Sequence, residues 1–275
     1  MRAILLGTGA PPPNPRRRGP ATLIVAGDGE RFLVDAGSGV GAQLVQAGVP
    51  AYDWPPVFIT HHHSDHTIDL GHLLITRWIV GQNAPLAIYG PAGTRAQVDR
   101  LMAWLAWDID VRRAHMHDRQ PPQVQVTEVE EGRIFERDGL RVSAFLVEHD
   151  PVKPALGYRF DADGSLVVSG DTRPCENLMR WAYHADVLVH ECCEMAKTSW
   201  YPGCGWPTIE DKIRDLASYH TQPEDIGRVA EGARPRRLVI NHLMPGSDPA
   251  EIKAAAEKRY RGPVTVGEDL LEVSS

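Results

Sequence analysis

The chain has 275 residues, 43% of them hydrophobic, and a formal net charge of −7 with histidine neutral. That is enough length and apolar content for one domain over 1–275 with a substantial core. An acidic total does not attract polyanions at long range, which argues against a nucleic-acid partner, and no apolar run approaches the roughly 20 residues of a membrane span.

Met1-Arg2 runs directly into Ala3-Ile4-Leu5-Leu6-Gly7, too short for a secretory signal core, and a strand is expected over Ala3–Leu6. Strands follow over Thr22–Ala26 and Arg31–Asp35, then a helix over Val40–Ala47. Between them Arg16-Arg17-Arg18, after Pro11-Pro12-Pro13, is the best basic patch and reads as a solvated loop. A buried strand, Val57–Thr60, precedes a helix over Thr67–Val80. The strand Leu86–Tyr89 and a helix over Pro91–Trp107 come next, and 108–122, with His115, His117 and Pro121-Pro122, reads as an irregular loop.

The second half repeats the alternation. Strands are expected over Gln123–Val129, Arg141–Val147, Gly157–Phe160 and Leu166–Ser169, then a helix over Cys175–His184 and a strand over Val187–His190. Residues 192–208 read as an inserted Gly-, Trp- and Cys-rich loop. A helix over Pro223–Ala233, a strand over Leu238–Asn241, a helix over Pro249–Arg259 and final strands complete the chain. Two halves of strands first and helices later suggest two packed sheets with helices outside. Cys175, Cys192, Cys193 and Cys204 form no C-x-x-C pair, so reduced thiols and a cytoplasmic setting are expected.

The most informative stretch is His61-His62-His63-Ser64-Asp65-His66, an H-x-H-x-D-H pattern on a strand-to-helix loop. Imidazole nitrogens and carboxylate oxygens at this spacing converge on metal ions. Four later strands end in polar residues: His149, Gly170-Asp171, His190-Glu191 and His242. Each is weak alone; together, in this order, they supply the missing ligands. Asp35 either supports a ligand histidine or caps the Gly37-Ser38-Gly39 turn. His62, His115 and His117 read as bystanders.

With these residues in place the chain resembles the metallo-β-lactamase superfamily and, within it, the ribonuclease Z-like branch. The resemblance runs from Gly7-Thr8-Gly9 to Asp269. It takes in Leu33-Val34-Asp35-Ala36-Gly37, Thr60–His66, Tyr89-Gly90-Pro91, Glu130-Glu131-Gly132, His149, Ser169-Gly170-Asp171-Thr172, His190-Glu191, His220-Thr221 and His242. It implies an αββα sandwich of two mixed sheets with outer helices and two metal ions at one edge. Zinc is implied first, with manganese, iron or cobalt able to use the same ligands. His61, His63 and His149 would hold one ion, Asp65, His66 and His242 the other, and Asp171 both. Water shared by two such ions is a nucleophile near neutral pH, which Asp65 could orient or deprotonate. Glu191 would orient His220, which would stabilise charge or protonate the leaving oxygen. A redox diiron site is disfavoured, because that branch usually carries Glu where His63 stands.

In transfer-RNA-processing members of the branch a protruding arm grips the RNA. Here His149 to Asp171 is a short connection with no room for one. With the acidic total, this makes nucleic acid an unexpected partner. The expectation is a dinuclear hydrolase of a small, possibly aromatic molecule, a phosphodiester before an ester, lactone or aryl sulfate. Trp104, Trp107, Trp200, Tyr201, Cys204 and Trp206 would wall its pocket or form an interface, for instance in a homodimer, which the branch often forms. The alternatives are a tRNA 3′-processing endoribonuclease and a non-catalytic metal-binding sensor or scaffold.

Overall fold

The structure, a computed structural model, describes residues 1–116, 119–196 and 205–275. The expected positions of His117, Trp200, Tyr201 and Cys204 lie outside the described residues.

The first half builds strands β1 (Arg2–Gly7), β2 (Ala21–Val25), β3 (Arg31–Val34), β4 (Val57–Phe58), β5 (Leu86–Gly90) and β6 (Val124–Glu128). Between them run helices α1 (Val40–Gln46), α2 (Ser64–Thr67), α3 (Leu70–Ile79) and α4 (Thr94–His115). The second half builds β7 (Gly132–Arg137), β8 (Leu140–Leu146), β9 (Leu156–Asp161), β10 (Ser165–Val168), β11 (Val187–Glu191), β12 (Arg237–Asn241) and β13 (Val264–Val266). Its helices are α5 (Glu176–Trp181), α6 (Ile209–Ala217), α7 (Pro223–Ala233) and α8 (Pro249–Glu257). A last strand, β14 (Leu271–Ser274), returns to pair antiparallel with β1. The two seven-stranded sheets have orders β14-β1-β2-β3-β4-β5-β6 and β13-β12-β11-β10-β9-β8-β7. Each is antiparallel on one side and parallel on the other, so both are mixed, as expected.

Strand alternation explains the layering. On β1, Ala3 and Leu5 join Phe32, Phe58, Tyr158, Phe160 and Val189 in the core between the sheets. Ile4 and Leu6 point the other way and pack with Leu44, Leu70 and Leu73 of the first helix layer. The outer face of the second sheet is covered by Leu178, Ile226, Val229 and Ile252. Both faces of the central strands are therefore buried, which is why they read as continuous apolar runs. The result is the expected αββα sandwich. Among the described residues no helix is long and apolar enough to cross a membrane.

Three elements depart from expectation. The loop expected over 108–122 is helical as far as His115, because Leu105 and Ile109 pack on Trp78 and Asp108 pairs with Arg112 one turn on. β7 was not expected, since its half-exposed Gly-Arg-Ile-Phe-Glu-Arg pattern carries no apolar run. α6 lies between the loop expected over 192–208 and the helix expected from Pro223, where no element was expected; its start is marked by Thr208, whose side chain accepts the Asp211 N–H.

Candidate active site

The parallel strands of both sheets present their C-terminal ends at one edge, and the polar residues gather there. β4 stops at Phe58, and the chain turns through Thr60 and His61 into α2, a single turn holding Asp65 and His66. The Tyr158 hydroxyl donates to Ile59 O (2.7 Å) and Leu156 N–H to Thr60 O (2.9 Å), so the second sheet fixes the loop of the first. From the second sheet come His149 beyond β8, Asp171 beyond β10, Glu191 at the end of β11 and His242 directly after β12. Gly170 turns the chain toward Asp171 with φ +63°, and a Cβ there would lie 2.6 Å from Leu156 O. Asp35 and His242 also hold left-handed backbone, φ 62° and 59°, an unfavourable conformation kept at positions that aim side chains inward.

The seven residues expected to bind metal fall into two groups sharing one member. His61, His63, His149 and Asp171 bring potential ligand atoms within 4.8 Å of one another, and so do Asp65, His66, Asp171 and His242. His66 Nε2 and His242 Nε2 each lie 3.3 Å from an Asp171 oxygen. His61 Nε2 lies 3.9 Å and His149 Nε2 4.0 Å from Asp171 Oδ2. The buried Nε2 atoms of His61 and His66 have no hydrogen-bond partner among the described residues, as expected of atoms that face an ion.

Behind this group the rings are held from outside. His66 Nδ1 meets Asp35 Oδ2 at 2.7 Å, and Asp35 Oδ1 accepts the Thr60 N–H at 2.8 Å. Asp35 therefore supports His66, one of the expected ligands, and not the glycine turn. His61 Nδ1 meets the Thr60 hydroxyl (3.1 Å) and His149 Nδ1 the Tyr219 carbonyl (3.1 Å). Thr60 and Tyr219 went unnoticed in the sequence; Thr60 sat beside the motif, whereas a backbone carbonyl carries no signature. His62 turns away to Thr94, and His115 is exposed on α4, both as expected.

Glu191 and His220 are both buried at the same edge, and His220 Nδ1 lies 2.9 Å from Glu191 Oε1. Glu191 also accepts the N–H groups of Thr172 and Thr221. Cys193 adjoins this pair, but burial pushes its thiol pKa well up and keeps it a poor ligand.

Charge in the cluster is shared unevenly. Burial lowers the pKa of His61, His63 and His149. Burial opposes protonation of His66 and His242 as well, but the carboxylates led by Asp171 outweigh it and raise both. Burial alone would raise Asp171; His242 and His66 pull it well below the usual carboxylate value. Without metal, the raised imidazoles contribute stability below the ordinary pKa of 6.5 that is lost as pH rises through their folded values. The depressed Asp171 contributes stability above 3.8 that is lost as pH falls through its folded value. Metal must displace the imidazole protons. Divalent-ion affinity, measured by chelator competition, is thus expected to climb as pH rises past 6.5, and a flat profile would contradict this balance.

No aromatic wall closes over the cluster among the described residues. Trp104 and Trp107 are 78% and 76% exposed on α4, and Trp206 donates to Asp215. The cavity beside Asp65, about 270 Å³, is lined instead by Pro11–Pro13, Asn14, Arg17 and Arg18. Arg17 is tied to Thr8 and Gly267 O, while Arg16 and Arg18 are exposed. The basic loop is therefore part of the site's surroundings.

Residues 30–243 match the family model described as Beta-lactamase superfamily domain. Ribonuclease Z of Mycobacterium sp. (strain KMS) is 39% identical over 280 residues, covering 99% of this chain and 95% of that one. Ribonuclease Z of Mycobacterium avium (strain 104) is 38% identical over 281 residues, covering 99% and 98%. Among solved structures, the short form of human tRNase Z superposes with a TM-score of 0.71 at 25% identity, covering 100% of this chain and 99% of that one. A metallo-β-lactamase fold protein from Bacillus subtilis superposes at 0.76 with 18% identity, covering 100% and 99%. These relatives overturn the expectation that nucleic acid is an unlikely partner and a small, possibly aromatic molecule the substrate. The absence of an arm does not discriminate, because proteins named ribonuclease Z are matched along nearly their whole length. Nor does net charge, because it averages over a surface on which the exposed Arg18 stands beside Asp65. The chain belongs to the metallo-β-lactamase superfamily, in its ribonuclease Z-like branch, and is a metal-dependent hydrolase.

Proposed function

We propose that the protein is a ribonuclease Z-type endoribonuclease that cleaves a phosphodiester at the 3′ side of precursor transfer RNA. The observation that carries this reading is the near full-length match to proteins named ribonuclease Z, in a chain that keeps a buried Glu191–His220 pair beside its metal-binding cluster. His61, His63 and His149 would hold one divalent ion, Asp65, His66 and His242 the second, and Asp171 would serve both groups. A donor set of imidazole and carboxylate with unpartnered, inward-facing Nε2 atoms suits zinc. Bound there, the ions supply Lewis acidity to the phosphate and acidify the attacking water.

The chain's own groups do the rest. His220 has Nδ1 engaged by Glu191, so Nε2 is the nitrogen that hands a proton to the leaving oxygen as the P–O bond breaks. Glu191, fixed by the Thr172 and Thr221 N–H groups, sets the ring orientation. Asp65 lies 3.3 Å from His242 Nε2 and orients the water on the reacting side. Arg18, exposed beside that cavity, meets the backbone phosphates.

The test offers the zinc-loaded protein a precursor tRNA with a 3′ trailer, an aryl phosphodiester and matched aryl esters. Cleavage of the precursor at one position is expected. Rapid ester turnover with the RNA left intact would refute the reading.

A further inference from the structure

After β1 the chain runs through a proline-rich loop, residues 10–17, and returns at Arg18, which stands exposed beside Asp65. The neck of this loop is closed by Gly9 N–H donating to Arg18 O at 2.8 Å. One carboxylate, from the other end of the chain, grips both sides of the neck. Asp269 Oδ1 accepts the Thr8 N–H (3.0 Å) and the Thr8 hydroxyl (2.7 Å) on the outgoing side. Asp269 Oδ2 accepts the Arg18 N–H (2.7 Å) on the returning side and the Gln43 amide (3.3 Å). Every partner is a donor, so an amide in place of the carboxylate would turn its NH₂ against one side of the neck.

Asp269 lies between β13 and β14 and is itself held from both sheets. Gly267 N–H donates to Ile240 O (2.7 Å) on β12, and Leu270 N–H to Leu5 O (2.6 Å) on β1. Arg17 Nη1 adds a further tie, to the Thr8 hydroxyl (2.7 Å) and to Gly267 O (2.6 Å). Arg18 is seated from its other side by Gly39, where a Cβ would fall 2.8 Å from Arg18 Cδ; the missing side chain leaves room for the arginine stem. Backbone and stem of Arg18 are thus placed, while its guanidinium forms no ion pair among the described residues. A cation fixed at its root and unpaired at its tip meets an anion with little left to order.

We propose that Asp269 is a positioning residue for the RNA: by clasping Thr8 and Arg18 across the loop neck, it presents Arg18 to a backbone phosphate beside Asp65. It touches neither substrate nor metal. The inference rests on the ribonuclease reading above. Because Thr8 O also accepts the Leu243 N–H (2.9 Å), next to His242, zinc content is read alongside activity.

The experiment uses the full chain loaded with zinc, a precursor tRNA with a 3′ trailer, and an aryl phosphodiester. Asp269→Asn is expected to lower kcat/KM on the precursor about tenfold more than on the aryl diester, through KM rather than kcat. Zinc content is expected to match wild type. The slope of log(kcat/KM) against log salt is expected to become shallower by about 0.7 to 1, the loss of one phosphate contact. Arg18→Ala should give the same shallower slope, and Asp269→Asn added to it should cost little more. A folded Asp269→Asn with wild-type KM and salt slope overturns the proposal. So do additive losses in the double variant, or a fall in zinc content, which would route the effect through His242. Where Asp269→Asn does not fold, the wild type decides: the Arg18 amide, on an exposed loop, is expected to exchange its hydrogen slowly, and exchange at the rate of a free amide overturns the clasp. A wild type that leaves the precursor uncut removes the ribonuclease reading and this inference with it. If the precursor is cut while Arg18→Ala is silent, only the phosphate contact and its clasp fall.

Discussion

Asp171→Ala is expected to abolish RNA cleavage to background and to remove at least one of two bound metal ions. The reason is position: Asp171 is the one carboxylate common to both ligand groups, and its oxygens lie within 4.0 Å of nitrogens on His61, His66, His149 and His242. Alanine leaves His66 and His242 buried without their main countercharge, so the energy that raised their pKa is lost. Breaking such a buried pair costs roughly 3–5 kcal/mol, so the metal-free variant is also expected to melt earlier. In the wild type, zinc at about 100 times its dissociation constant adds roughly 2.7 kcal/mol of stability by mass action. In Asp171→Ala that gain should largely vanish. Metal content by mass spectrometry and melting with and without zinc test both halves. Two ions retained with unchanged melting would remove Asp171 from the site.

His220→Ala is expected to lower kcat by about 10²- to 10⁴-fold, the usual range for a lost general acid, with KM and metal content near wild type. His220 reaches the site through its pairing with Glu191 and is not among the seven proposed ligands. An RNA with sulfur in place of the leaving bridging oxygen needs little protonation as it departs. That substrate should be cut almost equally by wild type and His220→Ala. Equal damage on both substrates would instead place His220 in binding.

Most of this candidate site was legible because residue types that can bind metal are chemically conspicuous. His61, His63, Asp65 and His66 stand within six residues, and the four later polar positions each follow an apolar strand. The sandwich followed from the same alternation, since strands buried on both faces read as apolar runs. What stayed hidden was carried by backbone or by averaging. The Tyr219 carbonyl that holds His149 has no side-chain signature. β7 has one exposed face and lacked an apolar run, and the last turns of α4 were masked by their charges. The substrate expectation failed for a different reason: net charge is a property of the whole surface, whereas the exposed Arg18 stands at one place beside Asp65.

The return of β14 to β1 has a consequence for synthesis. Arg2 and Glu272 are ion-paired neighbours 270 residues apart, and β14 forms the outer edge of the sheet begun by β1. While the chain emerges from the ribosome, β1 has its inner neighbour β2 early, but its other flank stays bare until β14, which follows all the other described strands, has been made. An unpaired strand flank templates association with other chains. The nascent first half is therefore expected to lean on chaperones, and a stalled or truncated product lacking β14 to aggregate through β1.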